Sequence, residues 1–283
     1  MPVTVQQALH GVQSLNLTSD ISLLDTELIL SHVLNKSREY IRAHSEEEIS
    51  ETAHSKFQIL IDRRHKGEPV AYIIGKKAFW DFELTVNQSV LVPRPETEIL
   101  VELCLAKLLN ERCIKRIADL GTGSGAIAIA LALENPDWQL HATDISEDAL
   151  AVARDNAQSL DVSNIVFHQG SWCGGLPAKK FDLILANPPY IEFGDKHLKE
   201  GSLPFEPAVA LVAEEAGFGA LNLIMNTARK YLKKDSWLLM EHGYNQQAQL
   251  IENLIELGYE QVAGHKDFAG IDRIVEAKWT KVL

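Results

Sequence analysis

The residues with the clearest chemical potential end one apolar run, Phe181-Asp-Leu-Ile-Leu-Ala-Asn187-Pro188-Pro189-Tyr190. The run predicts a buried parallel strand that Asn-Pro ends abruptly. Because two prolines restrict the backbone and remove N–H donors, we expect the Asn187 side chain and the carbonyls of Asn187 and Pro188 to be fixed acceptors. Such a corner can bind an NH2 group and aim its nitrogen lone pair at an electrophile, with Tyr190 flat on the planar group. The plain alternative is a strand-ending turn with a core tyrosine.

A second group of residues predicts a nucleotide-binding turn. Gly121-Thr122-Gly123-Ser124-Gly125 follows a strand and begins a helix, where glycines let the backbone turn tightly against a ligand. The pattern lacks the Lys of a phosphate loop and the spacing of a dinucleotide fingerprint. Asp144 ends the next strand, where a carboxylate can bind both ribose hydroxyls, and Trp172 is expected beside the base. The alternatives are a plain tight turn, a helix cap and a core aromatic.

Alternating strand and helix patterns position these two groups. Strands are predicted at 116–120, 140–144, 165–168, 181–186, 237–241, 259–263 and 272–278, and helices at 125–134, 147–160, 217–233 and 246–257. This alternation predicts a parallel sheet with helices on both faces, which is a doubly wound α/β fold. Residues 191–215 are expected to be irregular, and a segment of that length is often a functional lid.

The first third of the chain carries no visible chemistry. Apolar stripes at helical spacing predict only helices over residues 1–70, with a long helix that Ser45 opens and Gly67 ends. Strand patterns at 72–74, 79–86 and 90–92 predict a β-hairpin connector. The loop 93–98 then reads as the rigid, acid-rich start of the next helix.

Composition narrows the class of protein. With 46% hydrophobic and 23% charged residues among 283, the chain is globular. A net charge of −12 argues against sequence-independent binding to nucleic acid. The absence of a secretion signal or a long apolar run favours a cytoplasmic protein without a membrane anchor. Cys104, Cys113 and Cys173 have no metal-ligand spacing and are expected to be buried or bystander thiols.

Taken in order, the glycine turn, the downstream acid and Asn-Pro-Pro-Tyr resemble a class I S-adenosylmethionine-dependent methyltransferase that acts on planar nitrogens. Further motifs over nearly the whole chain resemble the peptide chain release factor glutamine methyltransferases (HemK/PrmC family). These motifs are Gly75, Phe79-Trp80, Pro93-Arg94-Pro95-Glu96-Thr97-Glu98, Glu206-Pro207, Glu241-His242-Gly243 and Ala269-Gly270-Ile271-Asp272-Arg273. Two positions depart from the family pattern, Asp81 in place of a frequent Gly and Ser171 in place of a frequent acid.

The resemblance implies a fold and a reaction. The fold is a seven-stranded, mostly parallel sheet over 96–283, preceded by a helical substrate-docking domain over 1–70 and a β-hairpin connector over 71–95. The reaction methylates the side-chain amide nitrogen of the glutamine in the Gly-Gly-Gln motif of release factors. S-adenosylmethionine is the cofactor, S-adenosylhomocysteine the product, and no metal is implied. The expected partner is a release factor, with no direct contact to nucleic acid, and the protein is expected to be a monomer.

The predicted site follows from both arguments. The catalytic residues are Asn187, Pro188 and Tyr190, and the substrate-binding residues are Asn187, Pro188, Pro189 and Tyr190. The cofactor-binding residues are Gly121, Thr122, Gly123, Ser124, Gly125, Asp144, Trp172 and Asn187. No side chain looks placed to deprotonate the amide first, so alignment and desolvation are expected to dominate catalysis. The alternatives are a ribosomal-protein glutamine methyltransferase, a nucleic-acid aminomethyltransferase and a non-catalytic S-adenosylmethionine-binding adaptor.

Overall fold

The computed structural model describes residues 3–15, 21–108 and 114–282, and the chain divides into two compact units. The first unit comprises Met1–Lys76 and Glu200–Phe205, and the second comprises Lys77–Lys199 and Glu206–Leu283. Each unit has a hydrophobic core of its own.

The first unit is built mainly from helices. In chain order its elements are β1 (Val3–Thr4), α1 (Val5–Leu15), α2 (Leu23–Leu34), α3 (Arg38–Ala43), β2 (Glu48–Ile49), α4 (Glu51–His65) and α5 (Val70–Ile74). Their apolar faces meet in a core around Phe57, which is 1% exposed. Buried Glu27 of α2 accepts hydrogen bonds from Arg38 and Arg42, so its charge is compensated at the α2–α3 contact.

The prediction of helices alone over residues 1–70 is wrong at one edge of this unit. β1 and β2 form a short antiparallel pair, Val3 opposite Ile49 and Thr4 opposite Glu48. Because residues 48 and 49 are extended in this pair, the long helix begins at Glu51 and not after Ser45. Ser50 is its cap, since the Ser50 side chain accepts a hydrogen bond from the backbone N–H of Ala53.

The strand predicted at residues 72–74 is also wrong, because these residues belong to helix α5. Three apolar residues do not distinguish a strand from a buried helix, and Gly75 ends the helix with a left-handed φ of 76°. The expected hairpin follows as β3 (Lys76–Phe79) and β4 (Phe82–Thr85), whereas residues 90–92 form no strand.

The second unit contains the predicted sheet. Its further elements are α6 (Glu98–Leu108), β5 (Arg116–Leu120), α7 (Ala126–Glu134), β6 (Gln139–Asp144), α8 (Glu147–Ser159), β7 (Ile165–Gln169), β8 (Phe181–Ala186), β9 (Ile191–Glu192), β10 (Val212–Ala213), α9 (Gly219–Ala228), β11 (Leu232–Glu241), α10 (Gln247–Glu256), β12 (Glu260–Lys266) and β13 (Asp272–Trp279). The seven-stranded sheet has the order β12-β13-β11-β8-β5-β6-β7. Strands β11, β8, β5, β6 and β7 are parallel, and β13 is antiparallel to both of its neighbours. The predicted doubly wound, mostly parallel sheet is confirmed.

The end of α9 and the start of β11 differ most from the prediction. The helix predicted over 217–233 ends at Ala228, because Leu232 already pairs with Phe181 and begins a strand much longer than predicted. The segment 191–215 is more ordered than expected. It holds several turns of 3-10 helix, and its ends pair as the parallel strands β9 and β10.

Candidate active site

The candidate site lies where the strand order of the sheet reverses. β5 has β6 on one side and β8 on the other, and the carboxyl ends of strands at such a switch point form the usual ligand crevice of an open α/β sheet. Ala186 of β8 pairs with Leu120 of β5 and with Met240 of β11. The next residues along the chain are Gly121, Asn187 and Glu241. They therefore lie at one level, at the carboxyl ends of three adjacent strands.

A cavity of about 560 Å³ opens at this edge, within the size range of small-molecule sites. Among the predicted site residues, its walls include Gly121, Thr122, Gly123, Ser124, Asp144, Trp172, Asn187 and Pro189. Gly125, Pro188 and Tyr190 do not line it. Pro188 is buried and Tyr190 is partly buried.

The glycine turn follows β5 directly. Two of its glycines, Gly121 and Gly125, contribute to the structure in different ways. Gly121 has a φ of 74°, and a Cβ atom there would lie 2.8 Å from Cζ3 of Trp172, so the indole packs directly on the turn. Gly125 has a φ of 85°, and its Cβ would lie 3.2 Å from that of Ala153. Gly125 thus starts α7 and lets α8 approach closely, which is a packing role outside the cavity.

Asp144 is held by backbone amides at the end of β6. Its Oδ2 accepts a hydrogen bond from the N–H of Gly123, and its Oδ1 accepts one from the N–H of Ser146, each at 2.9 Å. A carboxylate has about four lone-pair sites, so both oxygens retain capacity for a ligand. One amide of the glycine turn and one amide just after β6 thus fix the carboxylate at the cavity wall.

Asp119 is a buried acid behind the glycine turn. No sequence motif indicates it, because it lies inside the apolar pattern of β5. It is 2% exposed, and its Oδ2 accepts a hydrogen bond from the Thr122 hydroxyl at 2.7 Å. Burial raises the pKa of Asp119 to about 7, and the nearby charge of Asp144 acts in the same direction. Its Oδ1 has no hydrogen-bond partner within the described part of the chain.

A chain of side-chain hydrogen bonds holds the opposite end of the cavity. Nδ2 of Asn187 donates to the Thr97 hydroxyl at 3.0 Å, and that hydroxyl donates to Oε2 of Glu241 at 2.7 Å. The Tyr190 hydroxyl donates to Oε1 of the same carboxyl group at 3.3 Å. Thr97 lines the cavity, whereas Glu241 is 1% exposed and lies behind it.

The ionisation of these groups follows from their burial. Burial raises the pKa of Glu241 to about 7, against the opposing effects of the Thr97 hydroxyl, the Arg273 charge and the Tyr190 hydroxyl. Burial, reinforced by the Glu241 charge, also raises the pKa of Tyr190. Tyr190 therefore remains a neutral hydrogen-bond donor at neutral pH, while Glu241 titrates there.

The loop 93–98 and the segment after residue 205 are joined by hydrogen bonds and both contribute to the wall of the cavity. Buried Glu206 accepts hydrogen bonds from the Arg94 guanidinium at 2.6 Å and from the N–H of Val92 at 3.1 Å. Arg94 and residues 207 and 209–215 except 211 line the cavity. The sequence indicates residues 93–98 and 206–207 only as motifs of the resembled family, and it predicts an irregular stretch over residues 191–215. Their pairing spans more than a hundred residues, so no local signal reveals it.

Other candidate chemistry is limited in the ranges 3–15, 21–108 and 114–282. Within them, no cluster of His, Cys, Asp and Glu is suited to hold a metal ion, and no helix is long and apolar enough to cross a membrane. Cys104 and Cys173 are buried free thiols, as expected. Cys113 lies outside the described residues.

Comparison with known families assigns both parts of the chain. Residues 114–281 match a family model described as a methyltransferase domain. Residues 8–75 match a model described as the PrmC N-terminal domain.

Similar proteins cover nearly the whole chain. A release factor glutamine methyltransferase of Shewanella oneidensis is 43% identical over 266 residues, which are 94% of this chain and 92% of that protein. Its counterpart in Coxiella burnetii is 41% identical over 277 residues, 98% of this chain and 99% of that protein. Among solved structures, a methyltransferase from Pyrococcus furiosus is similar with a TM-score of 0.54 and 20% identity, over 80% of this chain and 100% of that one, which supports the fold alone.

Proposed function

Since the chain belongs to the release factor glutamine methyltransferase family, we propose that it methylates the side-chain amide nitrogen of the glutamine in the Gly-Gly-Gln motif of peptide chain release factors. One structural observation carries the proposal beyond the family relation. The amide of Asn187 and the glycine turn line one cavity, at the ends of adjacent paired strands. A planar amide and a nucleotide-type cofactor can therefore meet there.

The cavity residues fit S-adenosylmethionine by their chemistry. The preoriented carboxylate of Asp144 suits the ribose hydroxyls, and the Trp172 indole on the glycine turn suits the adenine. Thr122 and Ser124 of the turn are further wall residues with polar atoms. Gly125 shapes this region through helix packing. When bound, S-adenosylmethionine supplies an electrophilic methyl group.

Residues Asn187 to Tyr190, which we call the acceptor corner, orient the substrate amide. Asn187 donates its NH2 group to Thr97, so its carbonyl oxygen is the atom it can offer to a substrate N–H. We assign the Pro188 carbonyl as the second acceptor, with Tyr190 and Pro189 supporting the corner. Because an amide nitrogen is a weak nucleophile, alignment and exclusion of water by these residues carry most of the catalytic effect. Glu241 is 1% exposed and its carboxyl group already binds the Thr97 and Tyr190 hydroxyls, which agrees with a reaction without a base on the substrate.

The remaining assignments concern the partner and its setting. The helical region over residues 1–70 docks the release factor, and the connector 71–95 joins it to the methyltransferase domain 96–283. The net charge of −12 suits a protein partner with a basic surface and disfavours direct contact with nucleic acid. The enzyme acts in the cytoplasm as a monomer and needs no metal ion.

The alternative substrates are less favoured. A ribosomal-protein or nucleic-acid methyltransferase would share Asn-Pro-Pro-Tyr. However, the relatives that match this chain almost end to end are described as release factor enzymes. The N-terminal match over residues 8–75 extends that relation beyond the catalytic domain.

The decisive experiment incubates the purified protein with labelled S-adenosylmethionine and a purified release factor, followed by mass spectrometry of the product. We expect one added methyl group on the glutamine of Gly-Gly-Gln. A release factor in which that glutamine is replaced by alanine is the control and should remain unlabelled. Label on a ribosomal protein or on RNA in a mixed assay, with none on the release factor, would contradict the proposed substrate.

A further inference from the structure

The side-chain amide of Asn187 can be placed in two orientations, and only one of them suits the proposed reaction. The two ends of the Asn187 amide have nearly the same size but opposite hydrogen-bonding character, because the oxygen only accepts and the NH2 group only donates. Packing alone does not choose between them. If Asn187 turned its NH2 group to the cavity, it would face the NH2 group of the substrate, and no hydrogen bond would form between them.

Thr97 determines which end faces the cavity. Its hydroxyl has one proton, and that proton is given to Glu241 at 2.7 Å. Toward Asn187 the hydroxyl therefore has only lone pairs to offer, so it binds Nδ2 and not the amide oxygen. With its NH2 group held by Thr97, Asn187 retains its carbonyl oxygen for the substrate.

Glu241 in turn determines the direction of the Thr97 proton. An ionised carboxylate accepts hydrogen bonds only, so the hydroxyls of Thr97 and Tyr190 must both donate to it. A protonated Glu241 can instead donate to Thr97 and reverse the chain. The charged groups that act on Glu241 are Arg273 of β13, which favours the ionised form, and Glu96 beside Thr97, which opposes it.

We propose that Thr97 and Glu241 are positioning residues, which orient the Asn187 amide so that its carbonyl oxygen faces the substrate. The inference rests on the proposed function and adds two residues to it. Their participation explains why a carboxyl group is kept at 1% exposure one layer behind a site that uses no base.

The test compares Thr97→Val with Thr97→Ser in the full-length enzyme, with a purified release factor as substrate. Valine has the shape of threonine but no hydroxyl, so we expect kcat to fall about tenfold to a hundredfold while the affinity for S-adenosylmethionine stays within about twofold. Serine keeps the hydroxyl and should retain most of the wild-type kcat. Equal kcat values for the valine variant and the wild type would overturn the proposal.

The pH profile supplies a readout that a purely structural role would not change. Since only ionised Glu241 enforces the orientation, wild-type kcat at saturating cofactor should rise with pH through about 7, the pKa to which burial raises this acid. Glu241→Gln should remove that rise. Asp119→Asn is the matched control, because Asp119 has a similarly raised pKa but lies at the other end of the cavity. A rise that persists in Glu241→Gln and disappears in Asp119→Asn would contradict the assignment.

The two proposals fail in different ways. If the wild type does not methylate the release factor, the proposed function is wrong. If the wild type methylates it and Thr97→Val keeps the wild-type kcat, or the rise with pH persists in Glu241→Gln, only the positioning role is wrong. Should Thr97→Val unfold, the pH profile of Glu241→Gln decides the question.

Discussion

The two ends of the cavity are positioned by different means. At the cofactor end, backbone N–H groups of Gly123 and Ser146 hold the carboxylate of Asp144, and these partners lie close to it or follow the neighbouring strand. At the acceptor end, which comprises Asn187, Thr97 and Glu241, the side chains are held by hydrogen bonds to other side chains. Asn187 reaches a partner 90 positions away, and Thr97 reaches one 144 positions away.

This difference has consequences for what each end tolerates. A hydrogen bond from the backbone persists when side chains change, so the cofactor end depends on few residue identities besides its glycines and Asp144. The acceptor end depends on every member of its chain, because a missing hydroxyl leaves a buried polar group unsatisfied. Substitutions at the two ends should therefore separate cofactor affinity from turnover.

The largest effect is expected at Asn187. Asn187→Ala removes the acceptor while the two prolines remain, so turnover should fall about a hundredfold or more, the scale of a misplaced reactant. Calorimetry should show nearly normal binding of S-adenosylmethionine. Asn187→Asp is the control for general-base catalysis. An aspartate variant faster than the wild type would show that proton removal limits the reaction and not orientation.

A smaller effect, on affinity, is expected at Asp144. Asp144→Ala removes a charged acceptor worth roughly 1.5 to 3 kcal/mol per hydrogen bond, so the affinity for S-adenosylmethionine should fall at least tenfold, with a smaller change in kcat at saturating cofactor. Asp148→Ala controls for net charge, since Asp148 is exposed in the first turn of α8. Unchanged affinity in Asp144→Ala would remove this residue from the cofactor site.

Each end of the cavity has one buried acid, Asp119 at the cofactor end and Glu241 at the acceptor end. These two acids make the free energy of unfolding depend on pH. Burial raises the folded-state pKa of each to about 7, above the unfolded values near 4, so their contribution to stability is complete in acid and is lost as pH rises through 7. Between pH 6 and 8 the wild type should lose on the order of 1 kcal/mol per acid.

Denaturant unfolding at several pH values checks this dependence. Asp119→Asn and Glu241→Gln should each remove about half of the loss, and the double variant should remove most of it. A wild-type stability that does not change over this range would mean that neither acid keeps its raised pKa.

The smallest effect concerns Gly125, which separates packing from binding at the cofactor end. Alanine at a φ of 85°, close to Ile129 and Ala153, should lower stability by about 1 kcal/mol and leave cofactor affinity within about twofold. Gly121→Ala is the matched comparison, because its Cβ would displace the Trp172 ring at the cavity wall. Equal losses of affinity in both variants would mean that Gly125 also contributes to the site.

Much of the fold was open to prediction because its signals are local. The apolar strands, the glycine turn and the alternation from residue 116 onward predicted a doubly wound sheet, and the structure confirms it. Errors arose where short apolar stretches fit two periods, as in α5, or where tertiary pairing overrode a cap, as at Ser45 and Ser50. The ends of α9 and β11 shifted because Leu232 pairs with Phe181.

The sequence by itself determined the family, the sheet and the two chemical motifs, since each of these depends on residues that are neighbours along the chain. Only the tertiary structure joined Asn187 to Thr97 and Glu241, and Arg94 to Glu206. The physical reason is the parallel sheet, whose register brings the ends of distant strands to one level. No pattern within a single segment records that register, because it results from the burial of all the strands together.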